Sequence, residues 1–150
     1  MTCFFIGHRD APEELRPALA EAVERHITEY GVEDFVVGHY GGFDHMAANA
    51  VISAKKSHPQ VALSLLLPYH PFEQPVKTPE GFDGTFYPPG IESVPRWAAI
   101  VRANRYMIQN SDYLIAYDLG YIGNTREFVA AARRREKKGL IHVENLAEIK

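Results

Sequence analysis

Three short runs in this chain carry residue types that bind anions. The longest is Val36-Val-Gly-His-Tyr-Gly-Gly-Phe-Asp-His-Met-Ala-Ala-Asn-Ala-Val51. An apolar β-branched pair enters a turn that holds Gly38, Gly41 and Gly42, and a small-residue helical pattern follows. Glycine has no Cβ, so its backbone can approach an anion closely. A helix that starts there aims free N–H groups and the positive end of its dipole at the same point. The run therefore reads as a phosphate or ribose cradle. It reads equally as a tight turn in which the glycines satisfy backbone geometry and Asp44 caps the helix. It lacks both the Gly-x-Gly-x-x-Gly spacing and a Gly-Lys-Ser/Thr ending, which disfavours a nicotinamide cofactor or an ATPase.

The second run is Asp118-Leu-Gly-Tyr-Ile-Gly-Asn-Thr-Arg-Glu127. Gly123, Asn124 and Thr125 combine a glycine turn, polar side chains and a helix start. Asp118 and Glu127 supply carboxylates. Asn124 or Thr125 also serves as a helix cap, and Glu127 as an acid that complements the dipole. The third run is Gly7-His8-Arg9. His8 can act as acid, base or stacking group near neutral pH, and Arg9 can clamp a phosphate in bidentate fashion. A solvent-facing loop explains the same residues. Arg102 and Arg105 share one face of a helix that also carries Arg96, Asn104 and Gln109, which suits phosphate or a plain solvated face. The run Arg133-Arg-Arg-Glu-Lys-Lys138 looks like a nucleic-acid patch, but it falls in the last turns of a helix, where the dipole stabilises positive charge, and the latter reading is favoured. His39 and His45 flank Asp44, but no spacing matches a metal site, so neither metal nor cofactor is expected.

The elements that must position these runs alternate along the chain. Strand patterns cover Thr2–Ile6, Asp34–Gly38, Val61–Leu67, Asp112–Tyr117 and Leu140–Val143. Asp10-Ala-Pro-Glu13 looks like a capped helix start, and the apolar spacing from Leu15 to Tyr30 continues it to a stop at Gly31. Further helical patterns follow Asp44 and cover about Pro95–Asn110 and Asn124–Lys138. Residues 69–95 are rich in Pro and Gly and read as one long loop. The βαβαβ–loop–αβαβ order predicts an α/β fold of three layers, a mainly parallel five-stranded sheet flanked by helices. Ligands of such sheets sit beyond the C-terminal strand ends, where the strand order reverses. All three runs lie there.

Length and composition narrow the classes. At 150 residues the chain is expected to form a single domain, 1–150. A net charge of −3 disfavours a general polyanion binder but leaves room for a local basic site. Cys3 is the single cysteine, which excludes an intrachain disulfide and fits a reducing cytoplasm. No apolar run is long enough for a membrane span.

Taken together, the motifs resemble the SLOG superfamily, in particular its small bacterial single-domain branch. The resemblance rests on Gly7-His-Arg9, on the Gly38–Asp44 turn with its Ala-rich helix, and on Phe82-Asp-Gly-Thr-Phe-Tyr-Pro-Pro-Gly-Ile-Glu-Ser-Val-Pro-Arg96. It rests also on Arg102-Ala-Asn-Arg-Tyr-Met-Ile-Gln-Asn-Ser-Asp-Tyr-Leu-Ile-Ala-Tyr117 and on Gly123-Asn-Thr125. The superfamily includes LOG-type nucleoside-monophosphate phosphoribohydrolases and a domain of DNA-processing protein A. The resemblance implies a Rossmann-like domain that binds a nucleotide or a nucleotide derivative, often as a homodimer. Gly38, Gly41, Gly42 and Thr125 would meet phosphate, and Arg9, Arg102 or Arg105 would neutralise it. Asp44 and Asp118 would take ribose hydroxyls, and Tyr40, Phe43 or Tyr87 would stack on the base. The LOG enzymes place their essential Glu three residues past the Thr. Here Phe128 stands there, and Glu127 is one position early, rotated by about a quarter turn. Binding without established catalysis is therefore the first expectation. Cleavage of the N-glycosidic bond through Glu127 or Asp118 is the second, and single-stranded DNA binding the third.

Overall fold

The computed structural model describes residues 1–39, 41–73 and 75–148. Six strands form one sheet: β1 (Thr2–Gly7), β2 (Asp34–Val37), β3 (Ala62–Leu66), β4 (Gly84–Phe86), β5 (Tyr113–Tyr117) and β6 (His142–Asn145). Their order is β4-β3-β2-β1-β5-β6, and every pairing is parallel. Four helices flank it: α1 (Arg16–Thr28), α2 (Gly42–Lys55), α3 (Ala99–Asn110) and α4 (Asn124–Glu136). Among the described residues no helix is long and apolar enough to cross a membrane.

Alternation along the strands builds two cores. Cys3, Phe5, Phe35, Val37, Leu63 and Ile115 point to one face and pack against Leu19, Val23, Phe43 and Val51 of α1 and α2. Phe4, Ile6, Val36, Leu66, Leu114 and Val143 point to the other and pack against Ala103, Met107, Phe128 and Val129 of α3 and α4. Parallel crossovers are right-handed. Strand order runs one way from β1 to β4 and then restarts beyond β1 at β5, so the two helix pairs fall on opposite faces. The Cys3 thiol is fully buried, and burial pushes its pKa up.

Three expectations need correction. The sheet has six strands, because Gly84–Phe86, inside the Pro- and Gly-rich segment, pairs with Ser64–Leu66. A three-residue edge strand that begins with glycine leaves no periodic signal. The last strand is His142–Asn145, two residues later than the apolar pattern indicated. Its end is polar yet buried: Arg25 pairs with Glu144, and Asn145 is consumed by backbone groups of residues 118 and 147. Asp10 does not cap the first helix. Pro12 adopts an extended conformation, and a 3-10 turn over Glu13–Leu15 precedes α1.

Two positions carry consequences for stability. A Cβ on Gly7 would lie 2.3 Å from Phe43 Cγ, whereas one on Gly84 would meet nothing within 4 Å. Gly7→Ala is expected to cost about 1–3 kcal/mol, as overpacking does. The cost is read from the urea midpoint, with Gly84→Ala unchanged as control. His26 is fully buried. Its Nδ1–H donates to the Ala22 carbonyl at 2.7 Å, and its Nε2 has no hydrogen-bond partner among the described residues. Tyr30 and Tyr113 stand edge-on at 5.0 and 5.5 Å. Burial lowers the pKa of this ring despite the opposing pull of the Ala22 carbonyl. The unfolded chain takes up a proton near pH 6.5 and the fold does not. Stability therefore falls as pH drops from about 6.5 toward the lowered folded value. His26→Phe keeps the ring packing and removes the proton. Its stability is expected to change less than that of the wild type between about pH 7 and 5, measured by urea unfolding.

Candidate functional site

The strand order reverses between β1 and β5, which pair from Cys3 and Tyr113 to Gly7 and Tyr117. Beyond their C-terminal ends lies a cleft of about 270 Å³. Its floor is Phe5, Ile6 and Phe128. Gly7, His8, Arg9 and Asp10 enter from the first loop, Gly41 and Asp44 from the start of α2, Val101 and Asn104 from α3, and Asn124 and Thr125 from the start of α4. The three runs singled out in the sequence thus meet in one place.

Two helix N-termini converge there. Gly41, whose backbone is extended, precedes α2, and Gly123, whose φ is +151°, precedes α4. Neither start carries a side-chain cap. The first turns of both helices therefore keep amide groups and dipole ends directed to the cleft. Arg9 adds a cation with no carboxylate partner among the described residues, and Asp10 and Asp44 are the carboxylates that line the cleft.

The glycines of the second turn have a different job from the one their spacing evokes. A Cβ on Gly41 would lie 2.7 Å from the Arg9 Cα, and one on Gly42 would lie 2.5 Å from the Arg9 carbonyl oxygen. The Gly42 N–H donates to that same oxygen at 2.7 Å. Gly41 and Gly42 thus let two backbone segments touch, and the Gly42 amide is spent on Arg9. Gly38 lies outside the cleft, in a neighbouring recess that also includes Gly41 and Asp44.

His8 and Asp118 belong to a tie between the β1 and β5 loops. The His8 Nε2 accepts from the Leu119 N–H at 2.9 Å and lies 3.9 Å from Asp118 Oδ1. That acceptor role assigns the ring proton to Nδ1 in the neutral form. Tyr117 and Tyr121 hold the ring at centroid distances of 5.7 and 5.3 Å. Asp118 Oδ1 accepts from the Gly120 N–H at 2.9 Å, closing a turn. Asn145 grips the Asp118 backbone from both sides, accepting its N–H and donating to its carbonyl, each at 3.0 Å. Asp118 does not line the cleft, so a direct role at a ligand there has no geometric support.

Several other residues fall elsewhere. Glu127 is exposed and turned away, while Phe128 packs into the floor. Ala99, Ala103 and Met107 face the core and fix the rotation of α3. That rotation brings Asn104 to the cleft and leaves Arg102 and Arg105 in a separate hollow beside Trp97. Phe43 is buried against Phe5 and Tyr117, which removes it as a stacking platform. Tyr87 lies in another cavity with His70, and Tyr40 is outside the described residues. Sequence reasoning missed Asp10 as a lining group because the residue looked like a helix cap. Compared with known proteins, the chain matches no family model and no curated protein at significant similarity.

Proposed function

We propose that the chain binds a phosphorylated small molecule of the nucleotide class in the cleft between β1 and β5, as a SLOG-type binding protein. The observation that carries this reading is the convergence of two helix starts without side-chain caps, together with Arg9, at the reversal point of the sheet. On this reading the α4 amides and the Thr125 hydroxyl hold the phosphate, Arg9 neutralises it, and Asp10 and Asp44 accept sugar hydroxyls. Binding is favoured over glycosidic hydrolysis because the position of the essential acid is held by Phe128 and Glu127 faces solvent. A cytoplasmic homodimer belongs to the same proposal, and native mass spectrometry reads both its mass and any co-purified ligand.

The test is calorimetric titration with nucleoside monophosphates and ribose 5-phosphate, alongside chromatography for released base. Saturable binding with no base release is expected. Thr125→Val should weaken it about ten- to a hundredfold, the usual worth of a hydrogen bond to a charged group. Arg102→Ala should leave it unchanged. Absence of binding by every phosphorylated probe sinks the proposal, and base release lost in Glu127→Gln moves it to the hydrolase reading.

A second reading concerns the outer face of α3 and α4. Arg105 lines two adjoining hollows, one with Trp97 and Arg102 and one with Arg134, Arg135, Lys137 and Lys138; among the described residues no carboxylate lines either. Trp97 is 87% exposed. Cations that track phosphates beside an exposed ring fit single-stranded nucleic acid. Arg133 is excluded from this surface, since it pairs with Glu136 and Glu148. A gel shift of a single-stranded oligonucleotide at low salt, abolished by Arg105→Glu, is expected on this reading. No retardation at low salt removes it.

A further inference from the structure

Another cavity opens at the far half of the sheet edge. β3 and β4 end side by side, and beyond their last pair the Leu67 N–H donates to the Phe86 carbonyl at 2.8 Å. Tyr69 and Tyr87 leave these two ends and line one cavity of about 580 Å³, which among the described residues shares no lining group with the cleft. Its floor is apolar, with Ile91 and Ala99 both buried. His70 stands edge-on to Tyr87 at a centroid distance of 5.2 Å. Two carboxylates, Glu73 and Glu92, stand on the exposed rim.

Local hydrogen bonds set these groups in place. The Glu73 N–H donates to the His70 carbonyl at 2.9 Å and the Phe72 N–H to the His70 Nδ1 at 3.0 Å, so a turn brings Glu73 back beside His70. Gly90, at φ +84°, leads into a 3-10 turn over Ile91–Ser93, which the Ser93 hydroxyl closes on the Gly90 carbonyl at 3.0 Å. That turn sends Ile91 to the core and Glu92 to the rim. Burial, then the charges of Glu92 and Glu73, push the pKa of the Tyr87 hydroxyl up, so both carboxylates act on the ring they flank. Neither carboxylate forms an ion pair among the described residues. The Arg96 guanidinium, which also lines the cavity, stands 4.1 Å from the centroid of the Tyr69 ring. The cavity thus already holds one cation on an aromatic face, and two carboxylates against one guanidinium leave its lining negative.

We propose that this cavity binds a small organic ammonium ion, a ligand opposite in charge to that of the cleft. Aromatic rings attract a cation through their quadrupole, and more strongly where water is excluded. The apolar floor takes the methyl or methylene groups that an organic ammonium carries, and Glu73 and Glu92 balance its charge from the rim. An anion would meet both carboxylates instead. A bare metal ion finds no cluster of three ligating side chains among the described residues. The site is independent of the cleft, and its ligand does not depend on what the cleft takes.

The test titrates the full chain with choline and with dimethylbutanol, its neutral carbon isostere, by calorimetry. Choline is expected to bind saturably and about tenfold or more tightly than the isostere. Tyr87→Leu should weaken choline by about tenfold. Glu73→Gln with Glu92→Gln should remove the preference for choline and leave the isostere unchanged; both positions are exposed, so this variant serves if the Tyr87 variant fails to fold. No saturable binding of choline overturns the proposal, and so does equal affinity for the two probes. A preference that persists in the doubly substituted chain overturns it too. So does choline binding that Thr125→Val removes, which would place the ion in the cleft.

Discussion

The first two βα loops touch through their backbones, and the rest of the site depends on that contact. Gly42 donates its N–H to the Arg9 carbonyl, Gly41 lies against the Arg9 Cα, and Gly7 lies against the ring of Phe43. Each approach is closer than a side chain allows. The contact fixes the direction in which α2 leaves the sheet, and with it the aim of its N-terminus. It also fixes Arg9 and Asp10 on the rim of the cleft. Two features that look like anion chemistry in the sequence are thus one packing device. What it sets directly is the orientation of a helix.

The opposite rim is held by polar groups. Asn145 fixes the Asp118 backbone, and His8 accepts from Leu119, so the loops after β1 and β5 and the end of β6 are joined. Burying polar groups costs free energy unless each finds a partner. The last strand meets that condition. Glu144 is matched by Arg25, and the Val143 N–H is taken by Glu136, which Arg133 holds in turn. Burial raises the Glu136 pKa, but the Val143 amide and Arg133 outweigh it, and the carboxyl stays below its usual range. Of the basic run at residues 133–138, Arg133 is thereby structural, while Arg134, Lys137 and Lys138 are exposed.

Much of this was legible from the residues alone. The α/β order, the parallel sheet and the edge at which three loops meet follow from apolar periodicity and turn chemistry. Thr125, Asn124, Arg9 and Asp44 line one cleft because they stand in loops after strands or at the helix starts that follow, which the topology gathers at one sheet edge. Phe43, Arg102 and Arg105 were placed by residue type; the apolar spacing of their helices puts Phe43 on the buried face of α2 and Ala99, Ala103 and Met107 on that of α3. β4 escaped notice because its pairing with β3 is set by a distant partner.

The sequence by itself determined the alternation of the helices and of five of the six strands, with ends within a few residues, and which loops follow those strands. Those properties depend on neighbours in the chain. Only the tertiary structure decided that Asn104 and not Arg102 faces the cleft, and that Gly41 and Gly42 serve backbone contact. It alone showed that Glu144 and Asn145 complete a buried strand. Each of these depends on a group far away in sequence: the β1 and β5 side chains on which α3 packs, the Arg9 backbone, and Arg25 with Asp118. The apolar face of a helix is written locally, but what stands beside its polar face, and which group satisfies a buried polar atom, are long-range quantities that no local pattern encodes.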